Sequence, residues 1–346
     1  MYNTYNHKHP IHPENPGSKP IIAFITGGYS TEAVISYKSA ITIENNIDRE
    51  KFTVYKIDIR PDGWFCEIPG NGVTTIDRND FTLLDHGRKV RFDAVLVGIH
   101  GTPGEDGKLQ GYFDLLNIPY TSCNAATSAL TFNKRYTVAV AAFAGIHVAR
   151  SMHLFRQQKP DLKLITEQLK LPYFVKPNNG GSSIGMSKVS RSQDLEAAIE
   201  KAFKEDDQVL VEEFISGREF TIGVFRNKGE IMTLPITEVK SKKEFFDFEA
   251  KYTAGLSEET TPAQVDESVA EKVRAAARKV YQIFNCRGVV RIDFIYNEEA
   301  GAPYMLEINT VPGQSEASIV PQQVKAMGWT LKDFYSALIE DVLAHK

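Results

Sequence analysis

Arg291, Asp293, Glu307 and Asn309 form the pattern with the clearest chemistry in the sequence. Arg291-Ile292-Asp293-Phe294-Ile295 and Tyr304-Met305-Leu306-Glu307-Ile308-Asn309-Thr310 read as two strands joined by a polar Asn-Glu-Glu-Ala-Gly turn. Side chains alternate along a strand, so Glu307 and Asn309 share a face. If the runs pair as a hairpin, Asp293 points to the same side. Two carboxylates and an amide oxygen then make a hard, all-oxygen nest suited to Mg²⁺, which is usually held by one or two carboxylates plus substrate phosphates. Arg291 on that face would neutralise anionic charge beside it. A solvated face of an edge hairpin fits the same alternation, and these residues alone do not choose.

Other loops add candidates. Lys176 to Lys188 (KPNNGGSSIGMSK) combines glycines that let a backbone approach phosphate with serine hydroxyls that can bond it. Flanking strands make it a hairpin lid, and the GxxxxGK[ST] loop is absent from the chain. A flexible surface turn explains the glycines but not Lys176, which ends an apolar strand. Val211-Glu212-Glu213-Phe214-Ile215 leaves a strand for a turn, an apolar slot that suits adenine, with Glu219 able to accept from ribose hydroxyls; an ordinary strand end reads the same. His100, at the end of the apolar Asp93–Ile99 run, is a proton carrier, a substrate contact or a hydrogen-bonded turn residue. The polar stretch 240–264 is long for a connector, and such segments are lids or disordered.

These groups need a scaffold. Ile21–Ile25, Phe52–Ile59 and Asp93–Ile99 read as strands, with a helix over Ala33–Asn45, predicting a parallel α/β N-terminal domain with its ligand edge at the strand C-termini. A helix is expected over Ala129–Gly145, its Tyr136–Gly145 part buried. Strands follow at Pro172–Pro177, Gly185–Val189 and Val209–Glu212, then Glu219–Phe225 and Ile231–Val239, with helices over Gln193–Phe203, Val265–Phe284 and Thr330–Ala344. Thr330 and Asp333 stand as a capping box. The expected division is a flexible tail at 1–19, an N-terminal domain at 20–125, a central unit at 126–210 and a C-terminal unit at 211–346. The chain has 346 residues, 42% hydrophobic and 24% charged, with a net charge of -4. That composition is ordinary for a globular protein. It carries no basic stripe for nucleic acid and no apolar run of membrane length. The three cysteines lack framework or zinc spacing, and the start lacks an apolar signal core, so a reducing, cytoplasmic setting is expected.

The ordered motifs HGTPGEDGKLQG, FNKRYT, VKPNNGGSSIGMSKV, VEEFISGREFT, FEAKY, VRIDF and LEINTVPG resemble those of the D-alanine–D-alanine ligases of the ATP-grasp superfamily, from Ile21 to the C-terminus. The resemblance implies a three-domain ATP-grasp architecture, α/β in the N-terminal domain and α+β in the ATP-grasp part. It implies ATP between the central and C-terminal units, its phosphates held by Lys134, Lys176, Ser182 and, from the lid, Lys251. Glu212, Glu213, Phe214 and Ile215 would bracket adenine, and Glu219 the ribose. Asp293, Glu307 and Asn309 would ligate two Mg²⁺ ions, with Mn²⁺ able to substitute. Glu32 would receive the ammonium of the first D-alanine, with His100 nearby. Its carboxylate would attack the γ-phosphate to give an acyl phosphate. The second D-alanine, held near Ser318 and Ile319, would attack that carbonyl. Arg291 and the Gly313 N–H would stabilise the oxyanion. Tyr252, linked to Ser182 and Glu32, would lie over the substrates. The product would be a dipeptide for peptidoglycan, and the enzyme a homodimer. Two stretches depart from the family pattern: Ala33-Val34-Ile35-Ser36 after Glu32, and Gln314-Ser315-Glu316-Ala317-Ser318 after Gly313. Alternatives are a D-alanine–D-lactate ligase, another ATP-grasp carboxylate–amine ligase, and a nucleotide-binding protein without activity. Tyr252 favours the D-alanine acceptor.

Overall fold

A computed structural model describes residues 18–179, 185–241 and 257–344. The expected tail up to residue 17, and the candidates Ser182, Lys251 and Tyr252, lie outside the described residues.

The N-terminal sheet grows from β1 (Ile21–Gly27), whose apolar residues are buried on both faces, as a central parallel strand requires. Helix α1 (Ala33–Asn46) crosses to β2 (Thr53–Arg60), followed by β3 (Gly63–Ile68), β4 (Gly72–Thr75), the short hairpin β5 (Leu83–Asp85) and β6 (Arg88–Val90), and β7 (Ala94–Val97). Sheet order is β4-β3-β2-β1-β7. The three strands read from the sequence, β2, β1 and β7, run parallel as expected; the β3–β4 edge, which was not read there, is antiparallel. The reason is local. Pro61-Asp62 closes a two-residue turn between paired Arg60 and Gly63, and so short a link can only reverse the chain.

Helices α2 (Lys108–Leu115), α3 (Ala125–Phe132) and α4 (Lys134–Phe143) follow, then β8 (His147–Val148). The single helix expected over Ala129–Gly145 is two. Asn133 separates them, with extended backbone (ψ 105) and a side chain that accepts the Tyr136 N–H as the N-cap of α4. Nor is α4 buried. Thr137 and Ala141 face inward, whereas Phe143 is 95% exposed. The central sheet is antiparallel in the order β11-β10-β12-β9. Its elements are β9 (Ser151–Phe155), α5 (Leu162–Gln168), β10 (Tyr173–Pro177), β11 (Ser187–Val189), α6 (Leu195–Phe203) and β12 (Gln208–Glu213). Because β12 runs to Glu213, this sheet passes the expected boundary at 210. Conversely, β8 pairs with the last sheet and Ala141 and Ile146 join its core, so the segment before β9 packs with the C-terminal unit.

The last sheet holds β13 (Arg218–Asn227), β14 (Glu230–Thr233), β15 (Thr237–Ser241), β16 (Ser257–Thr260), β17 (Val290–Asn297) and β18 (Ala302–Asn309). The strand expected over Ile231–Val239 is broken between β14 and β15, where Pro235 has no N–H for a ladder. The polar stretch 240–264 contains β16, which pairs with β15. Helix α7 (Glu267–Ile283) lays Ala270, Val273, Ala277, Val280 and Tyr281 against this sheet at helical spacing. Each large side chain so buried contributes about 1.5–3 kcal/mol. Helices α8 (Ile319–Ala326) and α9 (Leu331–Ala344) close the chain, and Thr330 caps α9 by accepting the Asp333 N–H at 3.1 Å. Phe24, Ile43, Phe225, Val324, Phe334 and Leu338 belong to one buried cluster. That shared core fixes the N-terminal sheet against the C-terminal unit, and with it the loops that meet at the site.

Candidate active site

The β17–β18 ladder sets Arg291 opposite Asn309 and Asp293 opposite Glu307. All four side chains fall on one face because the register shifts between Asp293 and Phe294, leaving Leu306 as the extra residue. Before the shift Pro303 and Met305 are buried; after it Ile308 is. Asp293 is held from three sides. Arg291 grips it through Nε and Nη2 at 2.9 and 2.8 Å. Thr221, its partner on β13, donates to Oδ1 at 2.5 Å, and Asn309 Nδ2 lies 3.4 Å from Oδ2. Burial pulls the Arg291 guanidinium down, but Asp293, then Glu307 and Glu105, outweigh it and push it up. Among the described residues no group of three His, Cys, Asp or Glu side chains could hold a metal by itself. Two opposed carboxylates and an amide, one carboxylate already oriented, suit a hard cation that draws its remaining ligands from phosphates.

The N-terminal domain brings Glu32 and His100 to the same region. Glu32 is the N-cap of α1, where a helix favours negative charge. Its carboxylate lies against Gly101, whose φ of +68 and lack of a Cβ permit the approach. His100 is buried, its N–H given to Ser36 Oγ at 2.9 Å and its Nε2 3.0 Å from Ser39 Oγ. Ser39 Oγ in turn accepts the Gln314 N–H at 3.0 Å. The hydroxyl proton can therefore go to Nε2, which suits a neutral ring. Burial, with Arg291 nearby, lowers His100 to about 4, against a bond to the Val311 backbone that raises it. Both departures noted in the sequence thus meet at His100. Ser36 anchors its backbone, and buried Gln314 accepts from Tyr335 Oη at 3.2 Å. Gly313 lies in the turn before α8, where an added Cβ would meet Ser318 Oγ at 2.9 Å. Ser318 stands at the N-cap position of α8, its Oγ bonded to Ser315 Oγ at 2.7 Å and not to the helix N–H groups, and Ile319 begins the helix.

In the central sheet, Lys176 of β10 makes a 2.6 Å ion pair with Glu212 of β12. Lys188 sits 4.9 Å over the Phe214 ring, which also meets Phe174. The N–H groups of Glu213 and Phe214 are given to the Arg150 and Pro172 carbonyls, leaving neither free to donate to a base. Glu213 Oε1 accepts the Lys170 N–H. Lys134 opens α4, and Glu219 lies near the start of β13 opposite Ile295.

Three residues were not singled out in the sequence. Asn178, fully buried, takes the Lys134 and Arg135 N–H groups on its carbonyl and Oδ1, tying α4 to the end of β10. Thr221 orients Asp293. Glu105 accepts the Gly101 N–H at 2.8 Å and the Val311 N–H at 3.1 Å. Burial, then Glu32, pushes the Glu105 carboxyl up to about 8. The asparagine of the Lys176 loop and the acidic pair after Pro103-Gly104 were the available signals. A shallow apolar groove of about 330 Å³ on α3 and α4, lined by Leu130, Tyr136 and Val140, contains none of these groups.

An antiparallel sheet carrying the lysine–glutamate pair, followed by a second sheet carrying the carboxylate hairpin, is the arrangement of an ATP-grasp fold. Its relatives are specific. Residues 21–123 match the family profile "D-ala D-ala ligase N-terminus" and residues 133–340 match "D-ala D-ala ligase C-terminus". The chain belongs to the D-alanine–D-alanine ligase family. It is 44% identical to the D-alanine–D-alanine ligase of Phocaeicola vulgatus over 93% of its own length and 99% of that protein. It is 43% identical to that of Flavobacterium johnsoniae, with the same coverage of 93% and 99%. Among solved structures, the VanG D-Ala:D-Ser ligase from Enterococcus faecalis superposes with a TM-score of 0.84 at 32% identity, covering 93% of this chain and 99% of that one. The D-alanyl-alanine synthetase A from Vibrio cholerae gives 0.83 at 28%, covering 95% and 99%. Backbone similarity therefore does not separate acceptors.

Proposed function

We propose that this protein joins two molecules of D-alanine into D-alanyl-D-alanine at the expense of ATP, supplying peptidoglycan precursor synthesis in the cytoplasm. The observation that carries this reading is the convergence of Glu32 and His100 from one domain with Arg291, Asp293, Glu307 and Asn309 from another.

A carboxylate is a poor electrophile, so the first D-alanine must be activated. In this reading Glu32 holds its ammonium and orients its carboxylate toward the γ-phosphate, giving an acyl phosphate and ADP. Lys134, Lys176 and Lys251 neutralise phosphate charge, since phosphoryl transfer needs positioning and charge compensation more than covalent help. Asp293, Glu307 and Asn309 would hold Mg²⁺ or Mn²⁺, which supplies charge stabilisation when bound. The second D-alanine, its carboxylate near Ser318 and Ile319, attacks the acyl carbon through its amine. Arg291 and the Gly313 N–H receive the oxyanion, and phosphate departs. His100 stays neutral and holds the first-substrate loop. Ser182 and Tyr252 order the lid that keeps water from the acyl phosphate.

The reading includes a homodimer. Val34, Tyr37 and Ile41 expose an apolar stripe on α1 that a second copy would cover. Among the described residues no helix is long and apolar enough to cross a membrane.

The test is phosphate release with D-alanine as the sole amino acid, with the products identified. D-Alanyl-D-alanine in step with phosphate is expected. Phosphate release that requires D-serine or D-lactate would overturn the acceptor assignment.

A further inference from the structure

Glu105 lies in the Gly101–Gly107 loop, and ordinary loop chemistry does not account for it. That loop is already secured locally. The N–H groups of Gly104 and Glu105 both reach the Gly101 carbonyl at 2.8 Å. Gln110 Nε2 holds the Gly104 carbonyl and Ser122 Oγ from behind. A local staple would need one carboxylate oxygen. Glu105 uses both: Oε2 accepts from Gly101, and Oε1 accepts from Val311, 206 positions away on the C-terminal unit. Gly101 is the residue against which Glu32 lies, and Val311 stands between Asn309 and Gly313. His100 meets the Val311 backbone as well. The cost is a carboxyl placed near a second one, Glu32, with Arg291 offsetting part of the repulsion.

We propose that Glu105 is a positioning residue: by accepting the Gly101 and Val311 N–H groups together, it holds the loop beside Glu32 and the turn carrying Gly313 in one register. The two halves of the reaction site come from different domains. A carboxyl group bridging their backbones fixes the distance between the group that holds the ammonium and the group that receives the oxyanion. Each of its two oxygens takes one backbone N–H, from Gly101 at 2.8 Å and from Val311 at 3.1 Å, so one side chain can carry this tie. The kinetic part of the proposal rests on the roles proposed above for Glu32 and Gly313; the tie itself does not.

Glu105→Gln tests it in the full chain. The amide keeps one acceptor oxygen and turns an NH₂ toward the other N–H, so one arm is lost. Glu105→Ala removes both. Backbone hydrogen exchange is measured in segments 98–104 and 309–314, with substrate dependences taken in parallel. Exchange in both segments should rise together in Glu105→Gln and more in Glu105→Ala. The first-site requirement for D-alanine should rise roughly 10- to 100-fold, while the ATP requirement stays within about twofold. Exchange that stays at parental rates in either segment overturns the tie; a merely structural role would loosen the chain globally or not at all. Coupled loosening with unchanged D-alanine dependence supports the tie and overturns instead the assignment of these loops to the first substrate.

Discussion

Asp293 faces Glu307 across β17 and β18, and the ladder slips by one residue immediately beyond that pair. The slip is what permits the site. Without it, the odd-numbered residues of β18 that bury Pro303 and Met305 in the core would carry Glu307 and Asn309 there too. The extra residue turns the end of the strand over, so the core contacts and the carboxylate nest coexist on one strand.

Glu307→Gln should keep the fold, since the amide is close in shape, and lose the charge that faces Asp293. Turnover should fall by roughly two or more orders of magnitude, with a steeper dependence on Mg²⁺. A Mg²⁺ titration of steady-state turnover checks this; near-parental rates at limiting Mg²⁺ count against the nest.

Asn178→Ala removes the Oδ1 acceptor of the Arg135 N–H at a fully buried position. The expected destabilisation is about 1–3 kcal/mol. Because Asn178 fixes the start of α4 relative to β10, the ATP requirement should rise more than the D-alanine requirement. Urea denaturation and paired substrate titrations read both effects, and an effect confined to D-alanine contradicts the placement of Lys134 and Lys176 on ATP.

His100 gives a pH dependence with a definite sign. Its folded value, about 4, lies below the ordinary 6.5. As pH falls the unfolded chain binds the proton first, so the contribution is full above about 6.5 and is lost as pH falls toward 4. The raised Glu105 carboxyl acts with the opposite sign over the same range, so the parent should change little between about pH 6.5 and 5, and His100→Gln should gain stability relative to it as pH falls. Denaturant midpoints across this range decide it.

Much of this was legible in the residues. The alternation of Arg291, Asp293, Glu307 and Asn309 with apolar neighbours pointed to one polar face, and the strand-end glycines pointed to the ligand edge. The slip itself was not read, although the adjacent Met305 and Leu306 break strict alternation. Asn133 splits a helix that apolar content alone made continuous, because a cap acts through backbone geometry that hydrophobicity does not record. The α4 face was misread for the same reason: Phe143 is apolar but has no core to enter. Glu105 and Asn178 act by accepting N–H groups from segments distant in sequence, and no local pattern announces such a partner.

Tyr252→Phe probes acceptor choice. Removing the hydroxyl should cost about 1–3 kcal/mol if it is paired in the closed lid. D-Lactate should become the better competitor at low pH, where the acceptor amine is protonated. Product ratios from D-alanine and D-lactate mixtures across pH measure this. An unchanged ratio at every pH removes Tyr252 from acceptor choice.

The acyl phosphate is the central claim, and isotope transfer tests it most directly. D-Alanine carrying oxygen-18 in its carboxylate is supplied with unlabelled ATP, and the released phosphate is examined by mass spectrometry. If the carboxylate attacks the γ-phosphate and the second amine then expels phosphate, each phosphate formed with dipeptide carries one labelled oxygen. Phosphate without label, formed in step with dipeptide, would contradict the account.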